Sequence, residues 1–314
     1  MKYCSTLLII VSFLFIECGK DEDQGDPTIE PKEWTRQTSG TTEVLLGTFF
    51  VSAMNGYVVG TNGTIRFTSD AGATWTSLTS NTNKFLRGVH FSSTPTGTIV
   101  GESGVILRTT NGTSWTEQSS GTTEHLVHVH FANDNVGIAV GQGGVILKTV
   151  DGGNVWTKQT SGTTVELTGV FMLSVSNAVA VGFGGKVLST IDGGNSWSPV
   201  TIAGFDSDLR SVHFTGATGL AVSIGGRVIR STDNGQTWTV LNVAGRDLYA
   251  VQFLTATNAY AVGTARIVSS NDGGLTWSDA TTDSFSGDLY GLSVLGSKGW
   301  AVGQNGVALH KAGD

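Results

Sequence analysis

Four side chains stand out for what they could recognise. Arg87, Arg210, Tyr249 and Tyr290 each follow a leucine that opens an apolar run, at matching places along a chain of 314 residues. A guanidinium offers a planar fork of N–H donors that suits carboxylates, and a tyrosine offers a rigid aromatic face with one polar tip. Both types are enriched among the residues that dominate protein–protein binding. Leu46, Val127 and Thr168 complete the same column. A second column, in the Gly-rich stretches a little further along, holds Glu102, Gln142, Phe183, Arg227 and Gln304, with Asn62 and Arg266. Together the two columns predict one partner-binding mouth, and Phe183, Phe205 and Phe285 are expected in loops on that side as exposed anchors. The packing alternative is that several of these side chains plug the mouth.

His90, His130 and His213 form another column, inside Val-His-Phe segments. Three imidazoles suggest a metal at first sight. Each belongs to a different repeat, however, and points away from its flanking Val and Phe, so packed, hydrogen-bonded histidines facing a neighbouring unit are expected instead of a metal site. Gly141-Gln-Gly143-Gly144 and Gly182-Phe-Gly184-Gly185 share only glycine content with phosphate loops, because no helix follows them. No Ser-His-Asp or paired-Glu pattern is present, and no cofactor is expected.

These columns exist because the chain repeats. Thr190-Ile-Asp192-Gly-Gly-Asn-Ser-Trp197 recurs as Thr68 to Trp75, Thr149 to Trp156, Ser231 to Trp238 and Ser270 to Trp277, with a shorter copy at Thr109-Thr-Asn111-Gly112-Thr-Ser-Trp115. The sequence suits a turn between strands. The carboxylates of Asp70, Asp151, Asp192, Asp233 and Asp272 accept turn N–H groups, glycine supplies positive φ, and the tryptophan opens the next strand. The pattern resembles the Asp-box, or bacterial neuraminidase repeat. The longer unit, from Trp156-Thr-Lys-Gln-Thr-Ser-Gly through Leu167-Thr-Gly-Val170, Ala180-Val-Gly182 and Gly185-Lys-Val-Leu188, is similar to the photosystem II stability and assembly factor family over roughly residues 33 to 314. That resemblance implies a non-catalytic propeller that binds a membrane subunit during its assembly.

The in-phase tryptophans at 34, 75, 115, 156, 197, 238 and 277 are 41, 40, 41, 41, 41 and 39 residues apart. Seven such units, each with four strand-like segments, predict an all-β, seven-bladed β-propeller with four antiparallel strands per blade. In the unit after Trp156 the strands are expected at 167–172, 178–181, 186–190 and 196–200. The last unit lacks an outer strand and the chain offers a lone one at 33–38, so the N-terminal strand is expected to close the last blade. The Asp turns, joining third and outer strands, then fall on the face opposite the mouth and are structural. A single carboxylate per turn is also a poor calcium cage. The in-phase tryptophans, and Trp300 in the second-strand column, are expected in the core.

The net charge of −7 argues against a nucleic-acid binder, which would normally show a basic stripe. Lys2, an apolar run from Leu7 to Ile16 and Cys18 have the layout of a secretory signal, and the run is too short to span a bilayer. Cys18, followed by Gly-Lys-Asp-Glu-Asp, resembles the acceptor cysteine of a bacterial lipoprotein, although Phe15 and Glu17 stand where that motif has small residues. The expected organisation is a signal peptide (1–17), an acidic flexible tether (18–32) and a propeller (33–314), lipid-anchored at the outer membrane or cell surface. Cleavage would remove Cys4 and lipidation would occupy Cys18, leaving no thiol for a disulfide or a metal.

The expected function is to hold a protein partner or assist assembly of a membrane or surface complex. A glycan-binding or sialidase-like propeller is the alternative. It would need Arg87, Arg210 and Arg227 converging with Tyr249 or Tyr290 and Glu102. A purely structural surface module is the third.

Overall fold

An apolar run of about five residues between turn signals can be covered on both faces, and the second strand of each repeat is in that state. Ala178–Gly182 is buried at all five positions, as are Gly56–Gly60 and Gly137–Gly141. Such strands have a neighbouring blade on either side, so they show no polar face. The outer strands are the opposite case: Thr116–Gln118 and Thr157–Gln159 are short and mostly exposed.

The computed structural model describes residues 34–243, 245–282 and 285–313. The expected signal peptide, Cys18 and the acidic tether lie outside the described residues. Among those residues, 28 strands form seven four-stranded antiparallel sheets. Blade 1 runs outwards as Leu45–Phe50, Gly56–Gly60, Ile65–Thr68 and Thr76–Leu78. Blades 2 to 6 follow, with innermost strands Leu86–Ser93, Leu126–Phe131, Leu167–Met172, Leu209–Thr215 and Leu248–Phe253. Blade 7 is composite. Its first three strands are Leu289–Leu295, Lys298–Gly303 and Val307–Lys311, and its outer strand is Trp34–Thr38 from the other end of the chain. The pairing runs from Trp34 opposite Lys311 to Thr38 opposite Val307. Each innermost strand lies against the next, and blade 7 lies against blade 1. The ring is closed as the repeat arithmetic requires.

In blade 4 the strands are Leu167–Met172, Ala178–Gly182, Val187–Thr190 and Ser198–Pro199. The outer strand is shorter than the expected 196–200. Pro199 has no N–H for a ladder, which an edge position tolerates.

The aspartate turns are built alike. The Thr190 hydroxyl donates to Asp192 Oδ1 at 2.8 Å and accepts the Gly194 N–H at 2.9 Å, while Asp192 accepts the Ser196 N–H at 3.0 Å. Asp70, Asp151, Asp233 and Asp272 repeat the arrangement with Thr68, Thr149, Ser231 and Ser270. Asn111 substitutes in blade 2 because the position needs only an acceptor: its Oδ1 takes the Ser114 N–H at 2.8 Å. Hydrogen bonds from Thr74 and Thr276 hold Asp70 and Asp272 down at about 2. Gly194 sits at φ 86°, where any side chain would be strained. Cations one residue before the Thr or Ser stitch some blades together. Arg108 Nε donates to the Gly152 carbonyl at 2.7 Å, and Arg230 Nε to the Gly273 carbonyl at 2.8 Å, each in the following blade.

Trp34, Trp115 and Trp156 are buried, and Trp75, Trp197, Trp238 and Trp277 are half-buried against the blade cores. Trp300 is core as expected. It stacks on Phe50 with centroids 3.6 Å apart, and its Nε1–H donates to the Ala71 carbonyl at 2.8 Å. Trp34 packs edge-on against Tyr260 at 5.7 Å and fills the space beside Gly299.

Since Trp34 both fills the blade 6–7 core and anchors the closing strand, Trp34→Ala is expected to cost about 3–5 kcal/mol. Urea unfolding should show a lower midpoint with an unchanged slope. A midpoint within error of the parent would mean the closing strand does not hold the ring.

Candidate functional site

The mouth residues owe their direction to a defect repeated in all seven blades. In each innermost strand the pairing with the second strand slips by one residue: between Leu45 and Gly47, Leu86 and Gly88, Leu126 and His128, Leu167 and Gly169, Leu209 and Ser211, Leu248 and Ala250, and Leu289 and Gly291. The skipped residues are Leu46, Arg87, Val127, Thr168, Arg210, Tyr249 and Tyr290. A bulged residue leaves the alternation of the strand and its side chain is re-aimed. Here all seven turn into the central channel, a cavity of about 400 Å³.

Around this mouth the blades differ. Tyr249 and Tyr290 lie side by side with ring centroids 5.2 Å apart. The Tyr249 hydroxyl reaches Thr264 Oγ1 at 3.1 Å and Asp247 Oδ2 at 3.4 Å, and the Tyr290 hydroxyl reaches Asp288 Oδ2 at 3.4 Å while accepting Gln304 Nε2–H at 3.1 Å. Burial, reinforced by the charge of Asp288, pushes both phenols above their ordinary value. Arg210 lies over the Phe183 ring at 4.7 Å, with Asp208 at 4.0 Å. Arg87 has no ion-pair partner among the described residues, and the buried Nε–H groups of both arginines lack an acceptor.

Of the residues expected at the mouth, Arg87, Arg210, Tyr249 and Tyr290 share the channel lining. Phe183 and Gln304 support them from behind. Glu102, Gln142 and Arg227 are not brought in. Glu102 Oε2 accepts the Phe85 N–H at 3.2 Å, Gln142 is exposed at the start of a short 3-10 turn, and Arg227 pairs with Asp206 at 3.9 Å over the Phe205 ring. Phe205 is buried in the blade 4–5 core rather than an exposed anchor, because its loop folds back over Gly185. Phe285 likewise packs against the blade 6–7 core.

Deeper in the channel lies a belt of seven residues, three beyond each bulge: Phe49, His90, His130, Phe171, His213, Gln252 and Ser293. Several reach to the next blade and accept a backbone N–H of its innermost strand. His130 Nδ1 takes Met172 N–H at 3.2 Å, His213 Nδ1 takes Phe253 N–H at 3.4 Å, Gln252 Oε1 takes Val294 N–H at 2.7 Å, and Ser293 Oγ takes Phe50 N–H at 3.0 Å. His128 Nδ1 does the same for Val170, at 3.4 Å, and Ser211 Oγ for Val251, at 3.4 Å. His90 Nδ1 has no partner. The rings also pack on one another, His90 against His130 at 4.5 Å and His130 against Phe171 at 4.4 Å. Burial pulls His90 and His213 down to about 3 and His128 to about 4, and, with help from its histidine neighbours, holds His130 well below the ordinary imidazole value.

Sequence reasoning missed His128, Glu166, Ser211, Gln252 and Ser293 as channel residues. His128 did leave a signal. It is the one large residue in a column otherwise made of Gly47, Gly88, Gly169, Ser211, Ala250 and Gly291. Those positions are small because neighbouring innermost strands run close together: a Cβ on Gly47 would lie 2.6 Å from the Arg87 carbonyl oxygen.

With this geometry in hand, comparison with known proteins is informative. A family model matches part of the chain. It is that of the photosynthesis system II assembly factor YCF48, and it covers residues 27–119. No curated protein matches the chain in sequence. Solved structures do match. YCF48 bound to D1 peptide has a TM-score of 0.75 at 23% identity, over 91% of this chain and 96% of that one. YCF48 from Cyanidioschyzon merolae has a TM-score of 0.72 at 21% identity, over 89% and 98%. The WD40 β-propeller domain of Doa1 has a TM-score of 0.73 at 11% identity, over 90% and 98%. The chain is thus a seven-bladed propeller resembling the photosystem II assembly factors, and at these identities the shared property is the fold.

The belt makes stability depend on pH. The buried histidines bind protons more weakly folded than unfolded, so their contribution is complete above the ordinary 6.5 and is lost as pH falls from 6.5 towards 3. The aspartate turns add a separate loss only below about 3.8. His90→Phe copies the residue at Phe49 and Phe171 and removes no hydrogen bond through Nδ1. Denaturant unfolding between pH 7 and 4 should show a shallower loss of stability than in the parent, by up to about 1.4 kcal/mol per pH unit. Parallel curves would contradict the burial of a neutral His90.

Proposed function

We propose that this propeller is a non-catalytic binding module that holds a segment of a partner protein at the channel mouth and assists assembly of a membrane or surface complex. The observation that carries the reading is the mouth: two arginines, in blades 2 and 5, whose Nε–H groups have no acceptor among the described residues, beside the neighbouring rings of Tyr249 and Tyr290. Arginine and tyrosine in a partly desolvated hollow are the usual anchors of a protein interface. A YCF48 propeller of similar fold has been solved bound to a D1 peptide, which supports a peptide-holding role for such a ring. The D1 partner itself is not carried over, because the arginines here do not gather into one basic patch.

A glycan-cleaving reading is less supported. Its required set is dispersed, with Arg227 held by Asp206 outside the channel and Glu102 engaged by a backbone N–H. Burial moves Tyr249 and Tyr290 away from the phenolate a nucleophile would need.

The same proposal includes export and anchoring: cleavage before Cys18, lipidation of its thiol, and residues 18–32 as a tether at the outer membrane or cell surface. In Cys18→Ser the protein is expected to move from the membrane to the soluble fraction and to lose incorporation of labelled fatty acid. Retention with label would place the anchor elsewhere.

The binding claim is tested by capture from host membrane extract, comparing the mature protein with the quadruple variant Arg87→Ala, Arg210→Ala, Tyr249→Ala and Tyr290→Ala. One specific protein retained by the parent and lost by the folded variant is the expected result. Capture of nothing, or equal capture by both, sinks the assignment of this mouth.

A further inference from the structure

The backbone decides what the channel offers to a guest. A neutral imidazole has one N–H and one bare nitrogen. In His128, His130 and His213 the bare nitrogen is Nδ1, because each accepts an N–H from the next blade. Their single proton is therefore on Nε2. The same bookkeeping holds for the other belt residues. Ser211 and Ser293 accept a neighbouring N–H through Oγ and retain a hydroxyl proton, and Gln252 accepts through Oε1 and retains its amide N–H groups. None of these remaining donors has a protein acceptor among the described residues. The Nε–H groups of Arg87 and Arg210, above the belt, also lack one. Glu166 is the one acidic side chain among the described residues that line the cavity.

We infer that the channel is a carboxylate-binding cavity, in which the Nε2–H groups of His128, His130 and His213 and the guanidinium of Arg87 converge on an acceptor-rich guest. These unpartnered side-chain donors face a cavity of about 400 Å³, within the range of small-ligand sites. A metal ion is the wrong guest. Ligation through Nε2 would displace its proton, and Nδ1 is already engaged. An apolar guest would leave the donors unsatisfied at a cost. Arg87 contributes the charge, because no carboxylate among the described residues pairs with it, whereas Arg210 has Asp208 beside it. The carboxylate can arrive free, as a small acid, or as a side chain or C-terminus of a bound peptide. The second source rests on the protein-binding reading and the first does not.

The test uses the mature protein with 15N-labelled histidine at pH 7. Long-range 1H–15N correlation reads the tautomers directly, and Nε2–H is expected at His128, His130 and His213. The probes are succinate, a hexapeptide containing Asp and Glu with a free C-terminus, and its amidated Asn/Gln counterpart. Succinate, the acidic peptide or both should shift the three Nε2–H signals, and the neutral peptide should not. Arg87→Gln should weaken the active probe at least tenfold without changing the tautomers, and Arg87→Lys should recover part of the loss. A response to succinate alone assigns the cavity to a free acid, and a response to the acidic peptide alone assigns it to a partner's carboxylate. Nδ1–H tautomers, silence to both acidic probes, or equal response to the neutral peptide overturns the inference. Partner capture with silent imidazoles would overturn this inference and leave the protein-binding reading standing, and shifted imidazoles without capture would do the reverse.

Discussion

Every blade of a propeller has an unpaired innermost edge, and seven such edges meet around one axis. Backbone N–H groups there have no ladder partner and little bulk water, so something must accept them. In this chain the acceptors are side chains of the preceding blade: His130, His213, Gln252, Ser293, His128 and Ser211. Much of the channel's character follows from this need. It selects short or ring-shaped acceptors at the belt and sets the orientation of the imidazoles. It also keeps those imidazoles neutral, since a protonated Nδ1 could not accept. The exceptions are instructive: Phe49 and Phe171 cannot accept at all, and His90 leaves its Nδ1 unused. The belt is therefore not uniform in strength around the ring.

A second constraint is closeness. Innermost strands approach so tightly that the residue after each bulge is small in six blades, and the bulge itself is what frees the preceding residue to face the axis. One local irregularity, used seven times, thus separates two jobs along a single strand. Residues that pair and pack are held in the alternating pattern, and the extra residue varies freely between Leu, Arg, Val, Thr and Tyr without disturbing the ring. Sequence diversity at the mouth costs the fold little.

These two constraints explain what was legible beforehand. The tryptophan interval, the aspartate turns and the missing outer strand of the last unit are local or periodic signals, and they were enough for seven blades closed by Trp34–Thr38. The column Arg87, Arg210, Tyr249 and Tyr290 was also visible, since it follows a recurrent Leu. The second column was only partly a site. The turns that carry Glu102 and Arg227 engage a backbone N–H of their own blade and an aspartate of a neighbouring loop, contacts that leave no periodic trace. Phe205 lies in a loop, a position that reads as surface, but the loop covers a blade junction. The bulges were illegible because a register slip belongs to a pair of strands, and neither strand alone records it. The roles of His128, Ser211 and Gln252 depend on N–H groups 40 to 42 residues away, and that of Ser293 on one 243 residues away, each in another blade.

The composite blade ties the order of events in folding to the order of the chain. Blades 1 to 6 are each contiguous and pair nearest neighbours along the sequence, so they can assemble as the chain is delivered. The contact between Thr35 and His310 spans 275 residues. Closing it must wait for the last strand, and long-range pairing of this kind is slow to form. Until then the ring is an open arc whose first blade lacks a neighbour and whose belt lacks the Ser293 to Phe50 and Gln252 to Val294 links. A propeller delivered through a membrane pore from its N-terminus would therefore acquire its channel last.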